Sequence, residues 1–238
     1  MSAVIRTNRR MAAALKRAFD ICFSLGALAL LWPVVLAVAI AIWATMGRPV
    51  FFRQVRAGKG GSRLRLWKFR TMTNARDASG NLLPDEERQT KLGTFLRSWS
   101  FDELPQFFNV LSGSMSVVGP RPLSYRYVAR YNARQALRLT LKPGITGIAQ
   151  TSGRRALDWP SRLEMDVFYV EHWSLRLDLR LILATVGKVF HRDGVEESEE
   201  VEFWGNGVEP PPGIRYRPMD EDETRAAPAA AQSIAKSP

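Results

Sequence analysis

Residues 21–47 read ICFSLGALALLWPVVLAVAIAIWATMG, 27 positions without a charged side chain. As one helix the run would extend about 40 Å, against roughly 30 Å of bilayer hydrocarbon. A core helix of a soluble domain is seldom so long and so evenly apolar. A cleaved leader has a shorter apolar stretch and a small-residue cleavage site after it. Stable membrane insertion follows. Arg6, Arg9, Arg10, Lys16 and Arg17 precede the run, and Arg48, Arg53, Arg56 and Lys59 follow it. Positive charge on both flanks favours the cytoplasmic face for both. Pro33, near the middle, interrupts the helical hydrogen-bond ladder. Two shapes satisfy these facts: a helix that bends at Pro33 and returns to the face it left, and a tilted span with a proline kink.

The 238-residue chain has a net charge of +11 and one Cys, Cys22, which lies inside the apolar run. Its only His residues are His172 and His191. A structural zinc site and an intrachain disulfide are excluded, and a Cys–His nucleophile pair is disfavoured. Catalysis, if present, falls to carboxylates, Lys, Arg, Tyr or Ser. The positive balance suits an anionic partner: nucleic acid, acidic lipid or a phosphorylated substrate. No nucleic-acid module is recognisable, and a membrane segment argues against that role.

Downstream, residues 100–122 read SFDELPQFFNVLSGSMSVVGPRP. With Asp102 as N-cap, Pro105 falls in the first helical turn, where its missing N–H costs nothing. Asp102 and Glu103 then stand at the positive end of the helix dipole, which favours ionised carboxylates and attracts phosphate. Taken alone the dyad reads as an ordinary cap. Followed by Gly119-Pro120-Arg121-Pro122, it pairs a nucleophile or metal ligand with a fixed cation, as phosphate chemistry requires.

Residues 50–75 alternate basic and apolar side chains and read as short strands. Between them Ala57-Gly58-Lys59-Gly60-Gly61 is a turn carrying one Lys, without P-loop spacing. Residues 77–85 form a polar loop. Helices are expected over Glu86–Ser98 and Ser124–Leu139, after Pro160, and over Asp178–Phe190. A turn-rich segment at Leu141–Gly147 leads to a short extended piece ending near Arg155. In the last helix Leu179, Ile182, Leu183, Val186 and Phe190 share one face. Such a stripe suits a core or, beside a membrane anchor, the bilayer interface. An acidic run, Glu196–Glu200, precedes a Pro-rich and Ala-rich tail expected to be disordered.

In this order Lys16-Arg17-Ala18-Phe19-Asp20, Lys68-Phe69-Arg70-Thr71-Met72, the Asp-Glu to Pro-Arg-Pro block, Lys142-Pro143-Gly144-Ile145-Thr146-Gly147 and Asp166-Val167-Phe168-Tyr169-Val170 follow one another. Over roughly residues 14–192 the chain resembles the small bacterial monotopic phosphoglycosyl transferases, the core shared with bacterial sugar transferases. The resemblance implies transfer of a sugar-1-phosphate from a UDP-sugar to a polyprenol phosphate, with release of UMP. It implies Asp102 as the nucleophile of a phosphoglycosyl-aspartate and Glu103, with Asp102, as Mg²⁺ ligand. Arg121 would bind phosphate as a bidentate fork. Lys59, Arg70 and Arg154 are further candidates for the same anionic pocket, each equally readable as a solvated charge. Where many members have Ser before the central proline, this chain has Trp32.

The expected fold is mixed α+β, mainly helical: a monotopic membrane protein with one re-entrant helix broken at Pro33, amphipathic interfacial helices and a small cytoplasmic catalytic domain. Its parts would be a basic arm (1–15), the re-entrant helix (16–47), the catalytic domain (48–207) and a disordered tail (208–238). It is expected to be a small member without an extra multi-helix N-terminal region. Partners would be the UDP-sugar, the polyprenol phosphate and membrane lipid of the bacterial inner membrane, with a homodimer among the assemblies allowed. The rival is a membrane-anchored scaffold that recruits acidic partners without catalysis.

Overall fold

A computed structural model describes residues 2–152, 158–191 and 203. Its first element is one α-helix, α1 (Ser2–Met46), so the basic arm and the apolar run share a single helix. Helical structure continues on both sides of Pro33, which lies inside the helix. Pro33 withholds one N–H from the ladder, but the apolar neighbours on both sides keep the rest of it. Residues Met11–Met46 are apolar enough to enter a membrane, and only 11% of the most apolar window is buried against protein.

Both halves of α1 are fastened to the rest of the chain. Lys16 Nζ lies 2.7 Å from Asp178 Oδ2. Arg17 donates to the backbone carbonyls of Val110 and Leu111. Asp20 Oδ1 accepts from Ser116 Oγ at 3.0 Å and from the Val117 N–H at 3.1 Å. Phe19 and Phe23 pack on one apolar cluster with Leu66 and Val110. Val34, Val38, Ile42 and Met46 pack on another with Phe69 and Leu96. Leu30, Trp32, Ile40 and Trp43 are each more than half exposed.

The basic–apolar alternation folds as an antiparallel hairpin, β1 (Phe51–Ala57) with β2 (Arg63–Phe69), in the register Phe51 opposite Phe69. Its turn is a 3₁₀ segment, Lys59–Gly61, in which Gly60 and Gly61 have positive φ. The helix expected over Glu86–Ser98 is two: α2 (Asp85–Arg88) and α3 (Lys91–Ser98). Thr90 separates them because its hydroxyl accepts from the Gly93 N–H and caps α3 anew.

A six-residue helix, α4 (Gln106–Leu111), follows the acidic dyad. Then β3 (Ser116–Val118) pairs in parallel with β4 (Gly144–Thr146). The long crossover between them is not the continuous helix expected over Ser124–Leu139. It consists of 3₁₀ turns around α5 (Ala133–Ala136), where Asn132 and Gln135 form a capping box that restarts the helix. The expected extended piece after Gly147 instead begins as a turn of helix, α6 (Ile148–Thr151). Two longer helices close the domain, α7 (Trp159–His172) and α8 (Leu175–His191).

The apolar stripe on α8 divides. Ile182 is buried, while Leu179, Leu183 and Val186 point outward. The inward face carries Asp178 and Leu181 instead. Asp178 also lies 2.8 Å from the Tyr169 hydroxyl. Burial, then the Asp178 charge, push that hydroxyl's pKa up, so it stays a donor. Among the described residues the architecture is mainly helical with two small sheets, and its core joins α1, β2, α4, β3, α7 and α8. Phe190's side chain, the acidic run and the tail from residue 208 lie outside the described residues.

Candidate active site

Asp102 and Glu103 sit in a 3₁₀ turn, Phe101–Glu103, one turn ahead of α4. The N-cap position of α4 is taken by Pro105, whose φ of −63° and absent N–H suit it. Asp102 is therefore not the helix cap expected from sequence. Ser100 enters the turn in the left-handed region, φ 56°, an arrangement that costs a non-glycine residue energy and must be held by its surroundings. Asn109 fixes the helix that follows the turn. Its side-chain oxygen accepts from the Trp67 N–H at 2.9 Å and its NH₂ donates to the Arg65 carbonyl at 2.8 Å, which locks α4 onto β2.

That lock sets the dyad beside Lys68 of β2. Lys68 Nζ lies 3.1 Å from Asp102 Oδ2 and 2.9 Å from Glu103 Oε1, bridging the two carboxylates. Asp102 is buried, and no backbone N–H among the described residues reaches its carboxylate. Burial pushes the Asp102 carboxyl above the ordinary range; Lys68 opposes the rise and Glu103's charge adds to it. The helix dipole expected to hold it ionised does not dominate. Lys68 is disfavoured as a cation by its own burial, yet Glu103 and Asp102 outweigh this and hold its pKa above the usual lysine value.

Arg121 Nη2 faces the same group, 3.7 Å from Glu103 Oε1. Its backbone is clamped from below. The Arg121 carbonyl accepts from Arg138, whose guanidinium is in turn bound to Asp166 Oδ2 at 2.6 Å, and both partners are buried. Glycines bring the two strands behind this turn into contact: a Cβ on Gly119 would lie 2.5 Å from the Lys142 carbonyl oxygen. The resulting cleft is lined by Arg56, Lys68, Glu103, Gln106, Arg121 and Leu66, among others.

Two of the further anion candidates, Arg70 and Lys59, do not line this cleft. Arg70 is buried and donates to the carbonyls of Met46, Gly47 and Arg48, closing the C-terminal end of α1. Burial and those carbonyls explain its position better than phosphate binding. Lys59 is exposed on the hairpin turn, away from the cleft lining. Arg154 lies outside the described residues. In their place the structure supplies Arg56 and Lys68. Lys68 had a legible signal: it shares the inward register of Leu64 and Leu66, and a Lys at such a strand position is seldom buried unless paired. The Arg138–Asp166 pair had no local signal, since 28 residues separate its partners.

Asp102 and Glu103 provide two carboxylates, and no cluster of three metal-ligating side chains occurs among the described residues. That donor set fits Mg²⁺, which is commonly held by one or two carboxylates together with substrate phosphates and water. It does not fit an all-protein cage.

Comparison with known proteins places the chain in a family. The family model for "Bacterial sugar transferase" matches residues 11–192. The chain is 46% identical to "Uncharacterized sugar transferase EpsL" of Bacillus subtilis (strain 168), covering 81% of this chain and 97% of that one. It is 42% identical to "Exopolysaccharide production protein PSS" of Rhizobium leguminosarum bv. phaseoli, over 72% of this chain and 93% of that protein. It is 45% identical to the "UDP-glucose:undecaprenyl-phosphate glucose-1-phosphate transferase" of Klebsiella pneumoniae, over 74% of this chain but only 40% of that longer protein. With the matched model spanning the apolar helix, the Asp-Glu turn and the Pro-Arg-Pro turn alike, the chain belongs to the bacterial sugar transferase family.

Proposed function

We propose that this protein transfers a sugar-1-phosphate from a UDP-sugar to a polyprenol phosphate at the cytoplasmic face of the bacterial inner membrane, the first step of a membrane-linked glycan. The observation that carries the reading is the buried Asp102 beside Glu103, bridged by Lys68 and faced by Arg121. The similarity to the Klebsiella protein, a UDP-glucose:undecaprenyl-phosphate glucose-1-phosphate transferase, supports the same chemistry. A scaffold needs no adjacent Asp-Glu pair beside Pro-Arg-Pro.

In the first step an Asp102 carboxylate oxygen bonds to the sugar-bearing phosphorus. The P–O bond to UMP breaks, and its electron pair leaves on UMP. In the second, an oxygen of polyprenol phosphate attacks the same phosphorus and releases the Asp102 carboxylate. Lys68, Arg56 and Arg121 offset the charge that collects on the phosphoryl oxygens. Mg²⁺, held by Glu103 with Asp102, would neutralise the diphosphate of the donor.

Both halves of α1 are tied to one domain, at Lys16–Phe23 and at Val34–Met46. This supports a segment that enters and leaves on the same face rather than one that crosses. The outward Leu179, Leu183 and Val186 of α8 support its lying in the interface.

The test is release of UMP from a panel of UDP-sugars in the presence of Mg²⁺ and polyprenol phosphate. Asp102→Asn should remove turnover while the protein stays folded in detergent. Wild-type enzyme quenched with donor alone should carry a sugar-phosphate adduct on Asp102. Near-normal turnover in the Asn variant would remove Asp102 from the mechanism.

A further inference from the structure

Arg17, Lys59 and Lys142 do not line the cleft; Arg17 and Lys142 gather at one place, and the Lys59 charge acts on Lys142. A Cβ built on Gly113 would lie 3.5 Å from Arg17 Nη2 and 3.7 Å from Lys142 Nζ, so both cations face the same point above that loop. Arg17 is held there by the Val110 and Leu111 carbonyls. Burial lowers the Lys142 pKa, and the positive charges of Arg17 and Lys59 lower it further, with Asp20 opposing. Asp20 is already committed to Lys16, Ser116 and the Val117 N–H. Among the described residues no carboxylate forms an ion pair with Arg17, Lys59 or Lys142.

Gathering like charges without a counter-charge costs free energy, and an anion from outside removes that cost. Position indicates which anion. Arg17 stands four residues before the charge-free run begins at Ile21, which is the level of the headgroups for a helix entering the bilayer there. We propose that Arg17, Lys59 and Lys142 form a second anion site, separate from the cleft, for the phosphate of a membrane lipid. Two sources carry that chemistry: the phosphomonoester of polyprenol phosphate and the phosphodiester of an anionic phospholipid. Only the first rests on the function proposed above.

The experiment reads binding of polyprenol phosphate and of phosphatidylglycerol to protein in zwitterionic nanodiscs, together with KM for each substrate. Lys59→Gln/Lys142→Gln should weaken lipid-phosphate binding roughly tenfold or more, leaving donor KM and donor-only adduct formation unchanged. Gly113→Asp supplies the missing anion within the chain and should have the same effect. Gly113→Asn, equally suited to the φ of +83° there, should not. Weaker binding of polyprenol phosphate alone assigns the site to the acceptor; weaker binding of phosphatidylglycerol assigns it to bulk lipid. Unchanged binding of both overturns the proposal, as does a rise in donor KM with lipid binding intact. Equal effects of Gly113→Asp and Gly113→Asn also overturn it. A wild-type protein that turns over no UDP-sugar would sink the proposed function, whereas the binding arms would still decide this site.

Discussion

Replacing Lys68 by Met keeps the buried apolar stem and removes the ammonium between Asp102 and Glu103. At 3.1 and 2.9 Å, each attraction is worth roughly 5 kcal/mol in an effective dielectric of about 20, before the ammonium's desolvation is subtracted. Breaking a buried pair from one side typically costs about 3–5 kcal/mol. Lys68 and Glu103 keep 20% and 19% of their side chains exposed, which places the expected loss of stability at the lower end, about 3 kcal/mol. The loss has a definite pH dependence. Burial already holds the Asp102 carboxyl above its ordinary 3.8, and Lys68 works against that rise. Without Lys68 the folded-state pKa moves further up. Ionising Asp102 in the fold then costs more, so the stability deficit is small where Asp102 is protonated in both states. It grows as pH rises through the folded pKa. Activity needs the carboxylate, so the acid limb of kcat/KM should shift to higher pH in Lys68→Met. The rate at pH 7 should fall on the order of 10²-fold or more. The assays are UMP release from pH 5 to 9 and thermal unfolding over the same range. An acid limb that stays in place with a near-normal rate would refute both the bridging role of Lys68 and the assignment of Asp102 as the titrating nucleophile.

Arg121→Lys keeps the charge but loses the planar fork, and turnover should drop on the order of 10²–10³-fold; full activity would leave Arg121 a turn residue only. Asp166→Asn strands the buried Arg138 and should cost about 3–5 kcal/mol, read as a lowered Tm, with kcat falling further than the unfolded fraction explains because Arg121 loses its clamp. If kcat per folded molecule is unchanged, the pair serves stability alone. For topology, Cys placed at Ser2 and Ser62 in a Cys22→Ser background should stay unlabelled by an impermeant thiol reagent in intact cells and label after permeabilisation. Labelling at Ser2 in intact cells would establish a full span, and Pro33→Ala should favour that outcome by restoring the helical ladder.

Several features were legible because they depend on neighbours in sequence. The charge-free run from Ile21 to Gly47 declares a helix long and apolar enough to enter a membrane by length and composition. The alternation around Phe52 and Leu66 declares a hairpin by its period of two. The Asp-Glu and Pro-Arg-Pro turns were identifiable as ordered motifs of a family. Other features depend on which distant groups meet. Arg70 and Lys68 are two residues apart and both cationic, yet one closes the end of α1 and the other bridges the acidic dyad. The helix after the dyad begins at Pro105 rather than at Asp102, because the left-handed Ser100 and the Asn109–β2 bonds fix the turn from outside. The clamp beneath Arg121 joins residues on opposite sides of β4. By itself the sequence determined the long apolar helix, the hairpin and the ordered family motifs, since apolar character and local periodicity act residue by residue. Only the tertiary structure decided which cations face Asp102, because charge acts through space and the fold sets the distance.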